Sequence, residues 1–192
     1  RKLSIQFPCL LRYRTFIRLF IHHKGLAMIR EINRSEIPEC VVLIRESFLT
    51  VANEFNFTQA NAPGFTAFSI NNERLYWQYD NENRKMFAFL YGGKIIGYYS
   101  LLFGENKECE LDNLCVNPVY RHRKIGEQLL NHCFTFAKGL GISKIKIGIV
   151  EENTQLRKWY EAHGFIHIKT EKYAFFPFTC GYMEQNIQQS TK

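Results

Sequence analysis

The sequence predicts a mixed α/β (α+β) fold with one central sheet, and three observations support this class. Strand-like and helix-like segments alternate through the second half of the chain, whereas the first half carries helices and a hairpin. The length of 192 residues suits one domain with a substantial core. The apolar content of 46% is ordinary for a globular protein, so a single folded domain is expected.

The first elements are a short strand and an amphipathic helix. The strand is predicted over residues 28–32, and Ser35 is predicted to cap the helix that follows. Apolar residues recur in this helix at intervals of four, three and four positions, which places them on one face. These residues are Ile37, Val41, Ile44 and Phe48.

A loop, a second helical piece and a hairpin complete the first half of the chain. Residues 55–68 combine Asn with Pro and Gly, which favours a loop before a helical piece over 72–79. The turn at Gly92-Gly93 separates strands predicted over 85–90 and 94–103. This arrangement is typical of a β-hairpin.

The second half alternates strands with helices. The period of two in the apolar residues favours strands, and spacings of three and four favour helices. Gly residues after the helical stretches predict where those helices end. The predicted elements are strands over 108–116 and 144–150, helices over 126–140 and 154–163, and final strands over 165–172 and 181–187.

A basic loop joins the strand over 108–116 to the helix that follows. The chain turns at Asn117-Pro118, passes through Arg121-His122-Arg123-Lys124 and enters the helix at Gly126. The free N–H groups of a helix's first turn, together with the helix dipole, can hold a phosphate. The loop contains neither GxxxxGK[ST] nor GxGxxG, so it is neither a Walker loop nor a Rossmann fingerprint.

The loop resembles motif A of the GNAT superfamily of N-acetyltransferases, whose [QR]-x-x-G-x-[GA] pattern wraps the pyrophosphate of coenzyme A. Residues 121–126 occupy the six positions, with Lys124 where the family has its first Gly. If Gly is needed there for close backbone approach, Lys124 weakens the site. If the residue is already helical, Lys124 costs little and its ammonium can reach a phosphate. The resemblance implies that the cofactor contacts Arg121, Arg123, Lys124, Ile125, Gly126 and Glu127.

A second motif follows about thirty residues later, in the order that the family predicts. Residues 151–165 resemble motif B, N-x-x-A-x-x-x-Y-x-x-x-G-F, with Leu156 at the usual Ala position. The matching residues are Asn153, Tyr160, Gly164 and Phe165. The likeness spans roughly residues 30–187, and the tail over 175–184 resembles the closing strand of small bacterial members. It implies a V-splayed central sheet of about seven strands flanked by helices, with the pantetheine of acetyl-CoA between the fourth and fifth strands.

The resemblance also implies the reaction, which is direct transfer of an acetyl group from acetyl-CoA to an amine. The amine must lose a proton, and a Glu on the fourth strand often accepts it through water in this family. Glu110 stands at that position, and Asp112 shares its face, so both are candidate bases. Tyr160 matches the tyrosine that faces the CoA sulfur, and Asn153 matches the residue that binds the pantetheine arm.

The end of the fourth strand is expected to bind the rest of the cofactor arm. The backbone of Leu114, Cys115 and Val116 would pair with the pantetheine amides, with the Leu114 N–H near the thioester oxygen. Cys115 is not expected to be a nucleophile, because no His stands in a triad-like arrangement with it.

The acceptor site would lie in the least informative parts of the sequence, residues 47–68 and 173–182. Their Phe, Tyr and Asn content suggests a partly aromatic pocket, and Glu46 and Glu54 could attract a cation. A small-molecule amine is favoured over a peptide amine, and a homodimer is compatible with the sequence. A catalytically silent acyl-CoA-binding or regulatory module is the alternative, because a fold does not determine an activity.

The charge and cysteine patterns exclude several other classes. Residues 1–27 hold six of the 25 basic residues and no acid, so the remaining chain has 19 basic and 18 acidic residues. This near-neutral body argues against a nucleic-acid-binding domain. The six Cys form no CxxC pair and the six His form no HExxH motif, so no metal site is predicted. Reduced core thiols are expected, which favours a cytoplasmic location.

Residues 1–27 are expected to be a basic extension outside the N-acetyltransferase domain over 28–192. Met28 directly precedes the first predicted strand, which favours a non-native or flexible segment. A targeting or membrane-surface arm is the alternative, although a membrane partner is not favoured. Its longest uncharged run, residues 3–11, is too short to span a bilayer.

Overall fold

A seven-stranded sheet organises the part of the chain that the computed structural model describes, residues 27–187. The predicted extension over 1–27 lies outside these residues except for Ala27, so its status stays a prediction. The strands are β1 (Met28–Glu31), β2 (Arg84–Tyr91), β3 (Lys94–Phe103), β4 (Glu108–Val116), β5 (Lys144–Val150), β6 (Ile166–Lys172) and β7 (Thr179–Asn186). The helices are α1 (Ile37–Glu54), α2 (Thr66–Ser69), α3 (Asn72–Asn81), α4 (Ile125–Gly139) and α5 (Thr154–Ala162), with short 3-10 turns at Arg34–Glu36 and Pro118–Tyr120.

The sheet is mixed, and its only parallel neighbours among the described strands are β4 and β5. The strand order is β1-β2-β3-β4-β5-β7-β6. Pairing between β4 and β5 is confined to residues 108–110 with residues 144–146. Beyond Glu110 the two strands part. The predicted mixed sheet of seven splayed strands is therefore confirmed.

A β-bulge interrupts β4 just beyond the point where the strands part. Asp112 pairs with Ser100, and Cys115 pairs with Tyr98, so β4 has one residue more than β3 between these pairs. Asn113 takes a positive φ of 54° within this stretch. Because an extra residue reverses the alternation of side chains, Cys115 instead of Leu114 shares the face of Asp112.

Helices cover both faces of the sheet. On one face, α4 and α5 close a core that includes the fully buried Leu129, Leu130, Cys133 and Ile145. On the other face, α1 and α3 close a second core that includes Ile37, Ile44, Leu75 and Tyr98. A third, aromatic cluster lies beyond the end of α1 and is built mainly from Phe57, Phe65 and Phe178.

The start of α1 differs from the prediction. Ser35 was expected to cap the helix, but it lies inside the 3-10 turn that precedes it. That turn begins at Asn33, whose backbone N–H donates to the Glu36 carboxylate at 2.7 Å. The prediction was wrong because Asn33, two residues earlier, makes this contact and starts the helical path.

The cysteines of the described region agree with the expectation of core thiols. Cys40, Cys109, Cys115 and Cys133 are buried and free, while Cys180 is half-buried. Burial raises the pKa of the Cys115 thiol to about 12. The thiol is therefore protonated at neutral pH, which agrees with the prediction that Cys115 is no nucleophile.

The loop before α4 contains two residues in the left-handed backbone region. His122 has a φ of 61°, and Lys124, the N-cap of α4, has a φ of 60° and a ψ of 16°. Lys124 is therefore not already helical, contrary to the second of the two alternatives for this position. The left-handed conformation gives Gly an advantage here, because a Cβ disfavours it.

Replacing Lys124 should reveal this strain. Lys124→Gly is expected to have a free energy of unfolding about 1 kcal/mol higher than Lys124→Ala, because Ala keeps the Cβ and Gly removes it. Both variants lose the ammonium group, so the comparison isolates the backbone. Urea denaturation measures the difference, and equal midpoints would contradict a left-handed Lys124.

Candidate active site

A cleft of about 620 Å³ lies beside the parted ends of β4 and β5. Its walls come from the end of β4, the loop into α4, the first turns of α4 and α5, and the C-terminal half of α1. Ten of the eleven residues predicted to bind the cofactor line it. They are Leu114, Cys115, Val116, Arg121, Lys124, Ile125, Gly126, Glu127, Asn153 and Tyr160.

Arg123 is the predicted cofactor residue that does not line the cleft. Its side chain is exposed, and its guanidinium carbon lies 5.4 Å from the centre of the Tyr120 ring. This contact turns the charge toward the outside of the loop, where it can still contribute a general positive field.

The loop presents a row of free backbone donors. Among the described residues, the N–H groups of residues 122–127 donate to no protein acceptor. The first bonded amide is that of Gln128, which donates to the Lys124 carbonyl at 3.0 Å. Two left-handed residues among these six curve the backbone into the kind of concave nest that binds anions. The cleft therefore has a row of free donors at the N-terminus of α4, an arrangement that can hold an anion.

Arg121 ties this loop to α1. Its guanidinium donates to the Thr50 hydroxyl at 2.9 Å, the Ser47 carbonyl at 2.9 Å and the Val116 carbonyl at 3.3 Å. The Ser47 hydroxyl donates to the same Val116 carbonyl at 3.2 Å. Arg121 therefore orients the loop against α1 as well as lining the cleft.

Ser47 and Thr50 are site residues that sequence reasoning did not assign a role. The available signal was their position three residues apart on the otherwise apolar side of α1, next to Phe48. Polar groups on the inward face of a helix need hydrogen-bond partners. Ser47 bonds the Val116 carbonyl, and Thr50 accepts from Arg121, about 70 residues further along the chain.

The start of α5 forms the opposite wall. The Asn153 side chain accepts a hydrogen bond from the Leu156 N–H at 3.0 Å and so caps α5. Trp159 also lines the cleft. A Cβ placed on Gly126 would lie 3.8 Å from the Trp159 ring and 3.9 Å from Val116. The wall is thus close to the anion site without crowding it.

Tyr160 points a polar group into an apolar environment. The residue is only 6% exposed, and its ring packs edge-on against Phe165 and Trp159 at centroid distances of 5.2 and 4.9 Å. Within residues 27–187 its hydroxyl has no hydrogen-bond partner. Burial raises the pKa of Tyr160, so the hydroxyl stays protonated at neutral pH and can donate.

The two candidate bases on β4 lie outside the cleft lining and differ in their surroundings. Asp112 accepts a hydrogen bond at 2.6 Å from Arg84, whose side chain is 3% exposed and also bonds Glu82 and Ser100. Burial raises the pKa of Asp112, although the Arg84 charge opposes this shift. Arg84 thus offsets only part of the shift, and its main effect is to hold the Asp112 carboxylate in an ion pair.

Glu110 has no such partner. Glu108 forms ion pairs with Lys144 and Lys146, and Asp112 is held by Arg84, so Glu110 is the β4 carboxylate without a hydrogen bond or ion pair in the described region. Its side chain reaches solvent, but partial burial and the Asp112 charge raise its pKa. Glu110 and Leu114 are four residues apart along the strand, which corresponds to about 13 Å.

The two segments predicted to form the acceptor site contact each other. The Phe178 ring lies 4.9 Å from Phe57 and 5.9 Å from Phe65, measured between centroids. Phe48 lines the cleft and packs against Phe65 at 6.0 Å. The aromatic cluster therefore adjoins the cleft at the end of α1.

The described region shows neither a candidate metal site nor a candidate membrane-spanning helix. Residues 27–187 contain no group of three or more His, Cys, Asp or Glu side chains placed to hold a metal ion. None of their helices combines the length and apolar character that a membrane crossing needs.

Relatives of this chain were found by sequence. Uncharacterised N-acetyltransferases of Mycobacterium bovis and Mycobacterium tuberculosis are 22% identical over 101 residues, which cover 53% of this chain and 65% of theirs. The chain thus spans slightly less than two thirds of these relatives.

Solved structures share the fold. The ribosomal-protein-S18-alanine N-acetyltransferase of Escherichia coli matches with a TM-score of 0.69 and 15% identity, over 87% of this chain and 97% of that one. The PaiA N-acetyltransferase of Thermoplasma acidophilum, solved with coenzyme A, matches with a TM-score of 0.70 and 19% identity, over 84% and 99%.

The decisive comparison is with a family model. The model described as the acetyltransferase (GNAT) family matches residues 51–165, a span that runs from the C-terminal part of α1 through β4, the anion-binding loop and α5. This span contains the predicted cofactor residues and both motifs. The matched span, the splayed sheet and the shared fold lead to one conclusion, that this chain belongs to the GNAT family of acetyltransferases.

Proposed function

We propose that this protein transfers an acetyl group from acetyl-CoA to the amine of a small molecule. The observation that carries the proposal is the row of free N–H groups over residues 122–127. Five of these six residues line the same cleft as Tyr160 and the end of β4. One cleft thus combines free donors for an anion, a strand end whose backbone is unpaired on the side of β5, and a proton donor. A phosphate-bearing thioester needs all three.

The cofactor would lie along the parted strands. Its pyrophosphate would accept hydrogen bonds from the N–H groups of residues 122–127, with the Lys124 ammonium and Arg121 adding positive charge. The pantetheine arm would pair with the backbone of residues 114–116, which β5 leaves unpaired. Asn153, at the N-cap of α5, would contact the arm from the opposite wall. The coenzyme A bound to the Thermoplasma acidophilum structure supports this choice of cofactor.

The chemistry follows from the groups along this path. The neutral amine attacks the thioester carbonyl carbon, and the Leu114 N–H stabilises the oxygen as it becomes negative. The C–N bond forms, the C–S bond breaks, and the Tyr160 hydroxyl gives its proton to the departing CoA thiolate. The proton released by the amine passes through water to Glu110, and solvent then restores both side chains.

Glu110 is preferred to Asp112 as the base for a physical reason. The Asp112 carboxylate already accepts a hydrogen bond from the buried Arg84, so it is less available to a water molecule that carries the amine proton. Glu110 has a raised pKa and a free carboxylate, which suit a group that must take up a proton near neutral pH. The distance to Leu114 requires water to carry the proton.

Calorimetric titration of the full chain with acetyl-CoA, followed by an assay of CoA thiol release with a panel of amines, tests the proposal. Saturable binding near one cofactor per chain and thiol release with at least one amine are expected. Binding without release by any amine would favour the alternative, a silent acyl-CoA-binding module. No binding would overturn both.

Gly126 allows a sharp test of the anion site. Gly126→Glu is expected to weaken acetyl-CoA binding by about a hundredfold or more, because the added carboxylate would repel the pyrophosphate and block backbone approach. Gly126→Ala should keep its stability, since the new Cβ meets only ordinary contacts. Gly139→Glu places the same charge at the other end of α4, in open space, and should bind normally. Equal binding by both Glu variants would contradict the proposed pyrophosphate position.

The Tyr160→Phe variant tests whether Tyr160 donates a proton or serves only in packing. Loss of the hydroxyl is expected to lower kcat by about a hundredfold, the scale of general acid catalysis, with little change in acetyl-CoA affinity. Stability should change little, because the hydroxyl has no hydrogen-bond partner in the described region. Parallel losses in kcat, affinity and stability would show that the residue is needed for packing instead.

Glu110 should control the acidic side of the pH profile. Glu110 can act as a base only when its carboxyl group is deprotonated. Because its pKa is raised, kcat/KM should fall as the pH drops through that pKa. Glu110→Gln should remove this decline and lower kcat. The Asp112→Asn variant should show the same decline in kcat/KM at low pH. Its free energy of unfolding should be lower, because Arg84 loses an ion-pair partner. A profile unchanged by Glu110→Gln would reject it as the base.

A further inference from the structure

Glu54 is an unpaired carboxylate in the cleft. It is the last residue of α1, it is exposed, and it lines the same cleft as the anion loop and Tyr160. Within the described part of the chain, its side chain forms no hydrogen bond or ion pair. Glu127, the other acidic residue in the cleft lining, is also unpaired, but it lies in the first turn of α4 beside the anion site.

The position of Glu54 along α1 places it on the acceptor side of the cleft. Ser47, Thr50 and Glu54 follow at intervals of three and four, so they share one face of the helix. Ser47 and Thr50 contact the anion loop through Arg121. Glu54 lies one turn further, about 6 Å along the axis from Thr50. The chain then enters residues 55–68, which pack against Phe178.

The helix itself gains nothing from this carboxylate. The C-terminal end of a helix carries partial negative charge, which disfavours an acidic side chain there. The last turn of α1 contains no basic residue to offset it. Glu127 is in the opposite situation, because the N-terminal end of α4 favours its charge. Glu54 thus carries a charge that its helix end disfavours, and it does so inside a cleft and without a compensating contact in the described region. This combination indicates a ligand.

The ligand of Glu54 must be cationic, which excludes the phosphates of the cofactor. It is also not the nitrogen that attacks the thioester. A carboxylate beside that nitrogen would stabilise its ammonium form, which has no lone pair and cannot react. The useful partner is a second positive charge on the acceptor, one that stays protonated throughout the reaction. This argument rests on the proposed acetyl transfer.

We propose that Glu54 binds a second ammonium group of the acceptor, so that the enzyme prefers diamines to monoamines. One amino group, unprotonated, forms the C–N bond. The other remains an ammonium ion, donates to the Glu54 carboxylate and positions the chain between the aromatic cluster and the thioester. Phe48, which is half-buried and lines the cleft, supplies an apolar surface for the methylenes between the two nitrogens.

Matched substrates and variants test this assignment. Linear diamines of increasing length and n-alkylamines of the same lengths are assayed for CoA thiol release with the full chain, Glu54→Gln and Glu46→Gln. Glu46 lies on the same helix, is also exposed and borders the outer groove against α2 and α3, not the cleft, so it controls for net charge. The natural chain should favour the best diamine by about three- to tenfold in kcat/KM.

Glu54→Gln should abolish this preference through KM and leave kcat for monoamines unchanged, while Glu46→Gln should keep it. Glu54→Gln should also raise Tm by about 1–3 °C, because it removes an unfavourable charge from the helix end. An equal diamine preference in the natural chain and in Glu54→Gln would overturn the inference but leave acetyl transfer intact. No thiol release with any amine, despite acetyl-CoA binding, would overturn the proposed function and this inference with it.

Discussion

The short pairing between β4 and β5 is the constraint on which the rest of the structure depends. Three residues of each strand pair, and the strands then diverge beyond Glu110. This divergence leaves the backbone of residues 114–116 without a neighbour on one side and opens the cleft between α1 and α5. The anion loop follows directly, because β4 ends where the chain must turn into α4. The residues proposed to bind the cofactor arm and the phosphate, and the candidate base, thus lie along one strand and its continuation.

The loop after β4 illustrates how the fold accommodates an unfavourable local conformation. His122 and Lys124 both occupy the left-handed region, which costs about 1–2 kcal/mol for a residue with a side chain. Arg121 offsets part of this cost with hydrogen bonds to the Ser47 carbonyl, the Thr50 hydroxyl and the Val116 carbonyl. The conformation leaves the N–H groups of residues 122–127 without protein acceptors in the described part of the chain, and backbone strain of this kind is common where a backbone binds a ligand.

Local periodicity carried most of the sequence prediction. The strands predicted over 94–103, 108–116 and 144–150 have the same bounds in the structure. Alternating apolar residues define the strand over 144–150, whereas the turn at Gly92-Gly93 marks the start of the strand over 94–103. The two motifs located the cleft, since their residues are consecutive in sequence. Contacts between distant residues left no local signal. The Arg84–Asp112 ion pair joins residues 28 positions apart, and the Arg121–Thr50 hydrogen bond joins residues 71 positions apart. The sequence therefore predicted neither the ion pair of Asp112 nor the role of Thr50.

The divergence of β4 and β5 also bears on the protein's exposure to strand-mediated aggregation. Unpaired strand backbone on an outer edge of a sheet invites strands from other molecules and leads to aggregation. Here the unsatisfied edge lies in the interior of the sheet, where α1 and α5 border it on both sides. These helices therefore shield the unpaired backbone from strands of other molecules, while the cleft leaves it open to a narrow ligand.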